Sequence, residues 1–146
     1  MQLKKVLASL LVGVCICANL SIAAYADTSE RFPNYGISLT YEIANSPDSI
    51  LSIENGTAYC FSSTTGSNTA SISATHTLQK YWGLWIWNDV KNASWSKRVD
   101  GGSICLSNTK SGLDSGTYRV KSVFTLTDKS GKSETITVYS SEQVVS

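Results

Sequence analysis

The chain has 146 residues, of which 42% are hydrophobic and 16% charged, with a formal net charge of +1 at pH 7. This balance excludes a protein that recognises its partner by bulk charge, so nucleic acid is not expected as a partner. There is one histidine, which cannot form a multi-histidine metal site, and the sequence predicts no metal and no cofactor.

The N-terminus has the three parts of a secretory signal. A positive head ends at Lys5, an apolar run extends from Val6 to about Ala24, and Ala24-Tyr25-Ala26 is a small-x-small cleavage site. We therefore predict a signal peptide over residues 1–26, cleavage after Ala26, and a secreted or cell-surface product without stable membrane insertion.

This segment has two alternative fates. The apolar run is near the lower length for a bilayer span, so a retained anchor is one alternative. Lipidation at Cys15 or Cys17 is the other, but Val14 and Ile16 stand where a lipobox needs a small residue. The cleavage site and the polar chain after it favour cleavage.

Removal of the signal leaves a chain of the length of one domain, with ten basic and eleven acidic side chains. Residues 27–34 read as a loose leader, and residues 35–146 as the domain. Hydrophobic and polar residues alternate with period two, which predicts half-buried strands, over Ile37–Ile43, Ile72–Leu78, Tyr118–Leu126 and Ile136–Val138.

Turn residues fall between these stretches. Asn55-Gly56 is a strong hairpin signal, and Asp100-Gly101-Gly102 and Asp128-Lys129-Ser130-Gly131 separate later strands. Seven to nine short strands at this spacing predict an all-β fold, a single antiparallel β-sandwich. Cys60 and Cys105 remain after cleavage, and in an oxidising compartment they predict one disulfide, with a reactive thiol pair as the alternative.

Aromatic residues crowd into one short stretch, with Trp82, Trp85, Trp87 and Trp95 close together. If this stretch is a strand, Trp85 and Trp87 face one side while Trp82, Leu84 and Ile86 face the other. Exposed flat rings would bind the apolar face of a sugar or a protein partner. The alternative is that both rows are core. The four tryptophans are thus the candidate ligand-binding residues.

No catalytic constellation is present. His76 lies on the same strand face as Ile72 and Leu78, which favours a buried, hydrogen-bonded histidine over a general base. There is no Gly-x-Ser-x-Gly elbow, and the carboxylates are scattered singly. The sequence predicts a non-enzymatic secreted protein that binds an extracellular ligand, either a cell-wall glycan or a protein. A bacteriocin-like secreted effector is the alternative, and a hydrolase is the third reading.

The segment Asp114-Ser115-Gly116-Thr117-Tyr118-Arg119-Val120 resembles the Asp-x-Gly-x-Tyr-x-Cys segment of immunoglobulin-like strands. The resemblance implies an immunoglobulin-like sandwich in which Asp114, Gly116 and Tyr118 form a tyrosine corner. Val120 stands where the family has its second cysteine, so a bridge from Cys60 would run to Cys105 on a different strand.

A second resemblance is spread over most of the mature chain. It comprises, in chain order, Gly56-x-Ala58-x-Cys60, Leu78-Gln79-Lys80, Gly83-x-Trp85, Gly116-x-Tyr118-Arg119-Val120-Lys121, Ser133-Glu134 and Tyr139-Ser140. This order is similar to uncharacterised small secreted β-sandwich proteins of Gram-positive bacteria. It implies a bacterial origin, secretion and a β-sandwich, and it assigns no active site.

Overall fold

A computed structural model of the chain describes residues 41–146, which lie within the unit Thr40–Ser146. The predicted signal peptide over 1–26 and the leader over 27–34 lie outside the described residues. So do the first four residues of the strand predicted over Ile37–Ile43. Residues 41–43 of that stretch precede the first strand of the structure.

The described residues form eight strands and no helix. The strands are β1 (Ala44–Glu54), β2 (Thr57–Gly66), β3 (Thr69–Gly83), β4 (Ile86–Asp100), β5 (Ser103–Lys110), β6 (Gly116–Asp128), β7 (Ser133–Tyr139) and β8 (Gln143–Val145). All pairings are antiparallel. The predicted all-β antiparallel class is therefore confirmed.

The strands are arranged in two sheets. Sheet 1 has the order β1-β2-β5, and sheet 2 has the order β4-β3-β6-β7, with β8 pairing with the start of β6. Buried residues from both sheets form two shared apolar clusters. The first is built around Phe124 and Ile72, and the second around Tyr118 and Leu78. This arrangement fits the predicted sandwich.

Turn chemistry explains two of the connections. Asn55 and Gly56 have φ values of 49° and 69°, and Glu54 pairs with Thr57 across them. Both central residues thus have positive φ, as in the type I′ hairpin turn that Asn-Gly favours. In the β6–β7 loop, Asp128 Oδ1 accepts hydrogen bonds from the amides of Ser130 at 2.8 Å and Lys132 at 3.0 Å. The aspartate side chain therefore shapes this turn.

The predicted Cys60–Cys105 disulfide is wrong for this structure. On β2 and β5, Cys60 pairs in register with Asn108, whereas Cys105 pairs with Ser63. Cys60 is 1% exposed and lies in the core. Cys105 lies between two inward-facing residues of β5, so the alternation of strand side chains directs it to the outer face. The two thiols therefore lie on opposite sides of sheet 1. Burial raises the pKa of Cys60 to about 12, so this thiol stays protonated.

Glu134 on β7 holds the chain where it enters β1. Its carboxylate accepts hydrogen bonds from the amides of Glu42 at 3.1 Å, Ile43 at 2.9 Å and Ala44 at 3.1 Å. Burial acts to raise the pKa of Glu134, but these three amides and the nearby Lys132 outweigh it, so the pKa lies below its ordinary value. The ionised carboxylate thus connects an edge of sheet 2 to an edge of sheet 1.

We expect Glu134→Gln to lower the free energy of unfolding at pH 7 by about 1 kcal/mol, because a neutral amide binds the three N–H groups less strongly. A depressed carboxyl pKa stabilises the fold above the unfolded pKa, and that contribution is lost as pH falls through the folded pKa. The difference between the two proteins should therefore shrink in acid. Urea unfolding at pH 7 and pH 4 measures it, with Glu142→Gln at an exposed position as the control. Equal stability of both variants and the native protein at pH 7 would contradict this role.

Candidate functional site

The aromatic stretch forms a hairpin tip, which we define as residues 82–86 at the end of β3 and the start of β4. Gly83 pairs with Ile86, so the connection consists of two residues, Leu84 and Trp85. Their φ values are 50° and 66°, almost the same as those of Asn55 and Gly56 in the first hairpin. The same type of turn is thus made once from its favoured residues and once from a leucine and a tryptophan.

The side chains of the hairpin tip extend into solvent. Trp82 is 74% exposed, Leu84 88%, Trp85 91% and Ile86 48%. The two rows predicted for a continuous strand do not form, because the turn at Leu84 and Trp85 interrupts the alternation. The sequence did not predict this turn because neither residue is a Gly, Asn or Asp, the residue types that indicate such turns.

Trp87 lies on the outer face of sheet 2 and belongs to a row of stacked groups. Its ring centroid is 5.2 Å from that of Tyr81. The guanidinium carbon of Arg119 is 4.1 Å from the centroid of the Trp87 ring and 4.2 Å from that of the Tyr139 ring. Cations over aromatic faces at this distance are attracted by the ring quadrupole. The row crosses strands β4, β3, β6 and β7.

Trp95, the fourth predicted residue, is separate from the other three. It pairs in register with His76, and the two rings meet edge to face at 5.4 Å between centroids. Trp95 packs against the apolar cluster of Leu78 and Tyr118. The structure therefore places Trp82 and Trp85 at the hairpin tip, Trp87 on the sheet face and Trp95 beside the core.

A groove of about 240 Å³ lies beside the hairpin tip. Its wall includes Trp82, and its polar lining residues are Lys80, Asn88, Asp89, Lys110 and Asp114. An exposed indole next to hydrogen-bonding groups of both charges can hold a polar ring compound by stacking and hydrogen bonds together.

The predicted tyrosine corner forms one wall of the same groove. The Tyr118 hydroxyl donates a hydrogen bond of 2.7 Å to the carbonyl of Asp114, four residues earlier. Gly116 has a φ of 149°, and an added Cβ would lie 2.5 Å from Cε of Lys80. Glycine at this position allows Lys80 to lie over the Tyr118 ring, with Nζ 5.5 Å from its centroid.

A hydrogen-bonded network crosses the core between the two apolar clusters. Ser62 Oγ lies 2.7 Å from His76 Nδ1 and 2.6 Å from Ser122 Oγ. His76 Nε2 lies 2.9 Å from Asn108 Oδ1, and Ser49 Oγ lies 2.8 Å from Ser122 Oγ. We call these five residues the core polar network. Strand alternation offered one signal for it, a serine at an inward position of both β2 and β6.

His76 is the buried, hydrogen-bonded histidine that its strand pattern favours. It is 0% exposed, and both ring nitrogens have partners. Burial lowers the pKa of His76, and the hydrogen bond to Asn108 opposes that shift without cancelling it. The imidazole is therefore neutral at pH 7. Its hydrogen bond to Ser62 is buried, and its hydrogen bond to Asn108 is partly buried.

Residues 41–146 offer neither a cluster of metal ligands nor a membrane-spanning helix. No three or more His, Cys, Asp or Glu side chains in this range come together in a way that could hold a metal ion. The same range contains no helix long and apolar enough to cross a bilayer.

Comparisons with known proteins add little. No family model matches the chain, and no curated protein does. Two crystal forms of wild-type OgpA from Akkermansia muciniphila are similar in structure, with TM-scores of 0.39 and 0.41 and sequence identities of 14% and 12%. They cover 66% and 70% of this chain, which spans only 27% and 30% of theirs. At these TM-scores neither likeness carries an argument about fold or function.

Proposed function

We propose that this protein is a secreted, non-enzymatic module that binds an extracellular ligand, a cell-wall glycan or a protein, through its hairpin tip. The observation that carries the proposal is the exposure of Trp82 and Trp85, at 74% and 91%. Tryptophans are the side chains that contribute most to binding when a partner covers them.

The backbone of the turn supports a role for its side chains. A residue with a Cβ in the left-handed region costs about 1–2 kcal/mol relative to the right-handed one. Leu84 and Trp85 both adopt it, although their side chains have little contact with the rest of the protein. Strain retained at an exposed position points to selection for what the side chains bind.

The groove beside Trp82 supports a glycan as one ligand class. Sugar rings present an apolar face for stacking and hydroxyl groups around their edge for hydrogen bonds. Trp82 offers the stacking surface, and Asn88 and Asp89 offer hydrogen-bonding groups within the same groove. A protein ligand would instead cover the four exposed tip side chains as a hydrophobic anchor.

We further infer an immunoglobulin-like topology for the sandwich. The constant-type immunoglobulin fold has sheets ABED and CFG, and the variable type adds C′ beside C. If D is absent and C′ present, the sheets become A-B-E and C′-C-F-G. The observed orders β1-β2-β5 and β4-β3-β6-β7 follow that pattern. In this assignment Tyr118 lies on strand F, where a tyrosine corner belongs, and the hairpin tip is the C–C′ loop.

The experiment is a pull-down of residues 27–146 on insoluble cell walls and on insoluble polysaccharides. We expect Trp82→Ala with Trp85→Ala to reduce retention about 10- to 100-fold, because large exposed aromatics dominate binding energy. Tyr59→Ala, at an aromatic of sheet 1 that is 45% exposed, is the matched control and should be retained. Quenching of tryptophan fluorescence by the retained ligand gives a second readout. Equal retention of the folded tip variant and the native protein would rule out the hairpin tip as the binding surface.

A further inference from the structure

Arg119 is held in one orientation on the outer face of sheet 2. Its guanidinium lies between the rings of Trp87 and Tyr139, at 4.1 and 4.2 Å from the two centroids. Its Nε donates a hydrogen bond of 3.0 Å to Gln79 Oε1. Gln79 is only 6% exposed, and its amide nitrogen donates to Asp89 Oδ1 at 2.8 Å. The two rings fix the plane of the guanidinium, and the glutamine fixes its rotation within that plane.

The charge of Arg119 is not neutralised within the described part of the chain. The one ion pair among residues 41–146 joins Lys132 to Glu42. Asp89, the nearest carboxylate in the hydrogen-bonded series, bonds to Gln79 and not to Arg119. The terminal Nη1 and Nη2 atoms of Arg119 have no hydrogen-bond partner among residues 41–146. The two nitrogens that form the bidentate fork of an arginine are therefore left for a ligand.

We propose that Arg119 is an anion-recognition site, which binds a carboxylate or phosphate group carried by an acidic extracellular glycan. A planar guanidinium with both terminal nitrogens available binds such groups through two parallel hydrogen bonds. Because the two rings and Gln79 already hold it in place, little side-chain entropy is lost when an anion binds.

The position of Arg119 connects this site to the hairpin tip, and the inference rests on the proposed function. The stacked row runs from Tyr81, next to the tip, through Trp87 to Arg119. Lys121 follows Arg119 on the same face of β6 and pairs in register with Tyr139, which adds a second positive charge. A glycan chain lying along this row would contact aromatic rings at the tip and place an acidic group at Arg119.

The test measures binding of the purified chain to three soluble polymers: polygalacturonate, which carries carboxylates, poly(glycerol phosphate), and neutral pullulan. We expect Arg119→Gln to weaken binding to the acidic polymers about 10- to 100-fold at low salt, the range for hydrogen bonds to charged groups. Arg119→Lys keeps the charge but lacks the fork, and it should fall between the native protein and Arg119→Gln. Arg98→Gln is the matched control, since Arg98 lies on the same sheet face with a hydrogen bond to Ser71.

Each outcome decides the inference. The inference is supported if Arg119→Gln loses affinity for the acidic polymers while Arg98→Gln binds them nearly as well as the native protein. The slope of log affinity against log salt concentration should then also fall by about one for Arg119→Gln. The polymer bound more tightly then identifies carboxylate or phosphate as the group recognised. Should Arg119→Gln fail to fold, as judged by its thermal midpoint, Arg119→Lys gives the readout. Failure of the native chain to bind either acidic polymer, or equal losses for Arg119→Gln and Arg98→Gln, overturns the inference. If the tip variant alone loses its ligand while Arg119→Gln retains it, the proposed function stands and the anion site does not.

Discussion

Replacement of His76 by alanine is expected to lower the free energy of unfolding by about 3–5 kcal/mol, the largest effect of a single substitution that we predict. The imidazole is fully buried, and its removal leaves a cavity between the two apolar clusters. It also leaves Ser62 and Asn108 without their buried partner. Guanidinium unfolding at pH 7.5, followed by tryptophan fluorescence, measures the loss. A value below about 1 kcal/mol would mean that the core polar network contributes little net stability.

The same histidine predicts how stability depends on pH. Because burial lowers its folded pKa below the ordinary value of 6.5, the unfolded chain takes up a proton at a higher pH than the folded one. The stabilisation is therefore present above pH 6.5 and is lost as pH falls below it. The groups packed around the ring are Ser62, Asn108, Trp95 and Ser122, none of which is charged. His76→Gln should remove this dependence between pH 7 and 5, and a persistent slope in that variant would assign it to another group.

Replacement of Leu84 by Asn and Trp85 by Gly is expected to raise stability by about 1–2 kcal/mol, because Asn-Gly relieves two strained left-handed residues. The same double variant should abolish retention on the ligand that the native chain binds, since half of the exposed apolar side chains of the tip are removed. Thermal unfolding and the pull-down measure the two effects on one protein preparation. An increase in stability together with a loss of binding would show that the strain is maintained for recognition.

The first hairpin provides a reciprocal control within the same molecule. Its Asn55-Gly56 turn has nearly the φ values of Leu84 and Trp85, so Asn55→Leu with Gly56→Trp should destabilise by a similar amount. If this exchange leaves stability unchanged, Leu and Trp are not strained in this turn conformation, and strain does not explain the sequence of the hairpin tip. If the exchange in the first hairpin destabilises the protein but Leu84→Asn with Trp85→Gly does not stabilise it, Leu84 and Trp85 make contacts that offset their strain.

The sequence predicted those parts of the structure that are determined by residues adjacent in the chain. Period-two alternation located β3, β6 and β7, and Asn55-Gly56 located the first hairpin, because each depends on residues adjacent in sequence. The turn at Leu84 and Trp85 carries no such signal, so the four tryptophans could not be assigned to their three environments. The disulfide could not be predicted correctly for a similar reason. Whether Cys60 and Cys105 can meet depends on the register of β2 against β5 and on which face of the sheet each side chain occupies.

The stacked row and the core polar network could not be predicted from the sequence for a related reason. Trp87, Arg119 and Tyr139 lie on three different strands, and only the pairing of β4, β3, β6 and β7 brings them together. Ser62 and Ser122 were visible as polar residues at inward positions, but a serine there is equally consistent with a small gap in packing. Only the opposing sheet shows that each hydroxyl has a partner.

The core polar network also bears on which alignment of strands the chain selects as it folds. A shift of β2 or β6 by one residue would turn Ser62 or Ser122 outward and bring an outward-facing residue into the core. A shift of either strand by two residues would leave the same side chains facing the core but would separate the serine hydroxyls from His76 and Asn108. An interior made only of Val, Leu and Ile would tolerate the second error, because apolar contacts are not directional. The five polar side chains thus distinguish the native pairing from alternatives that bury a similar apolar area.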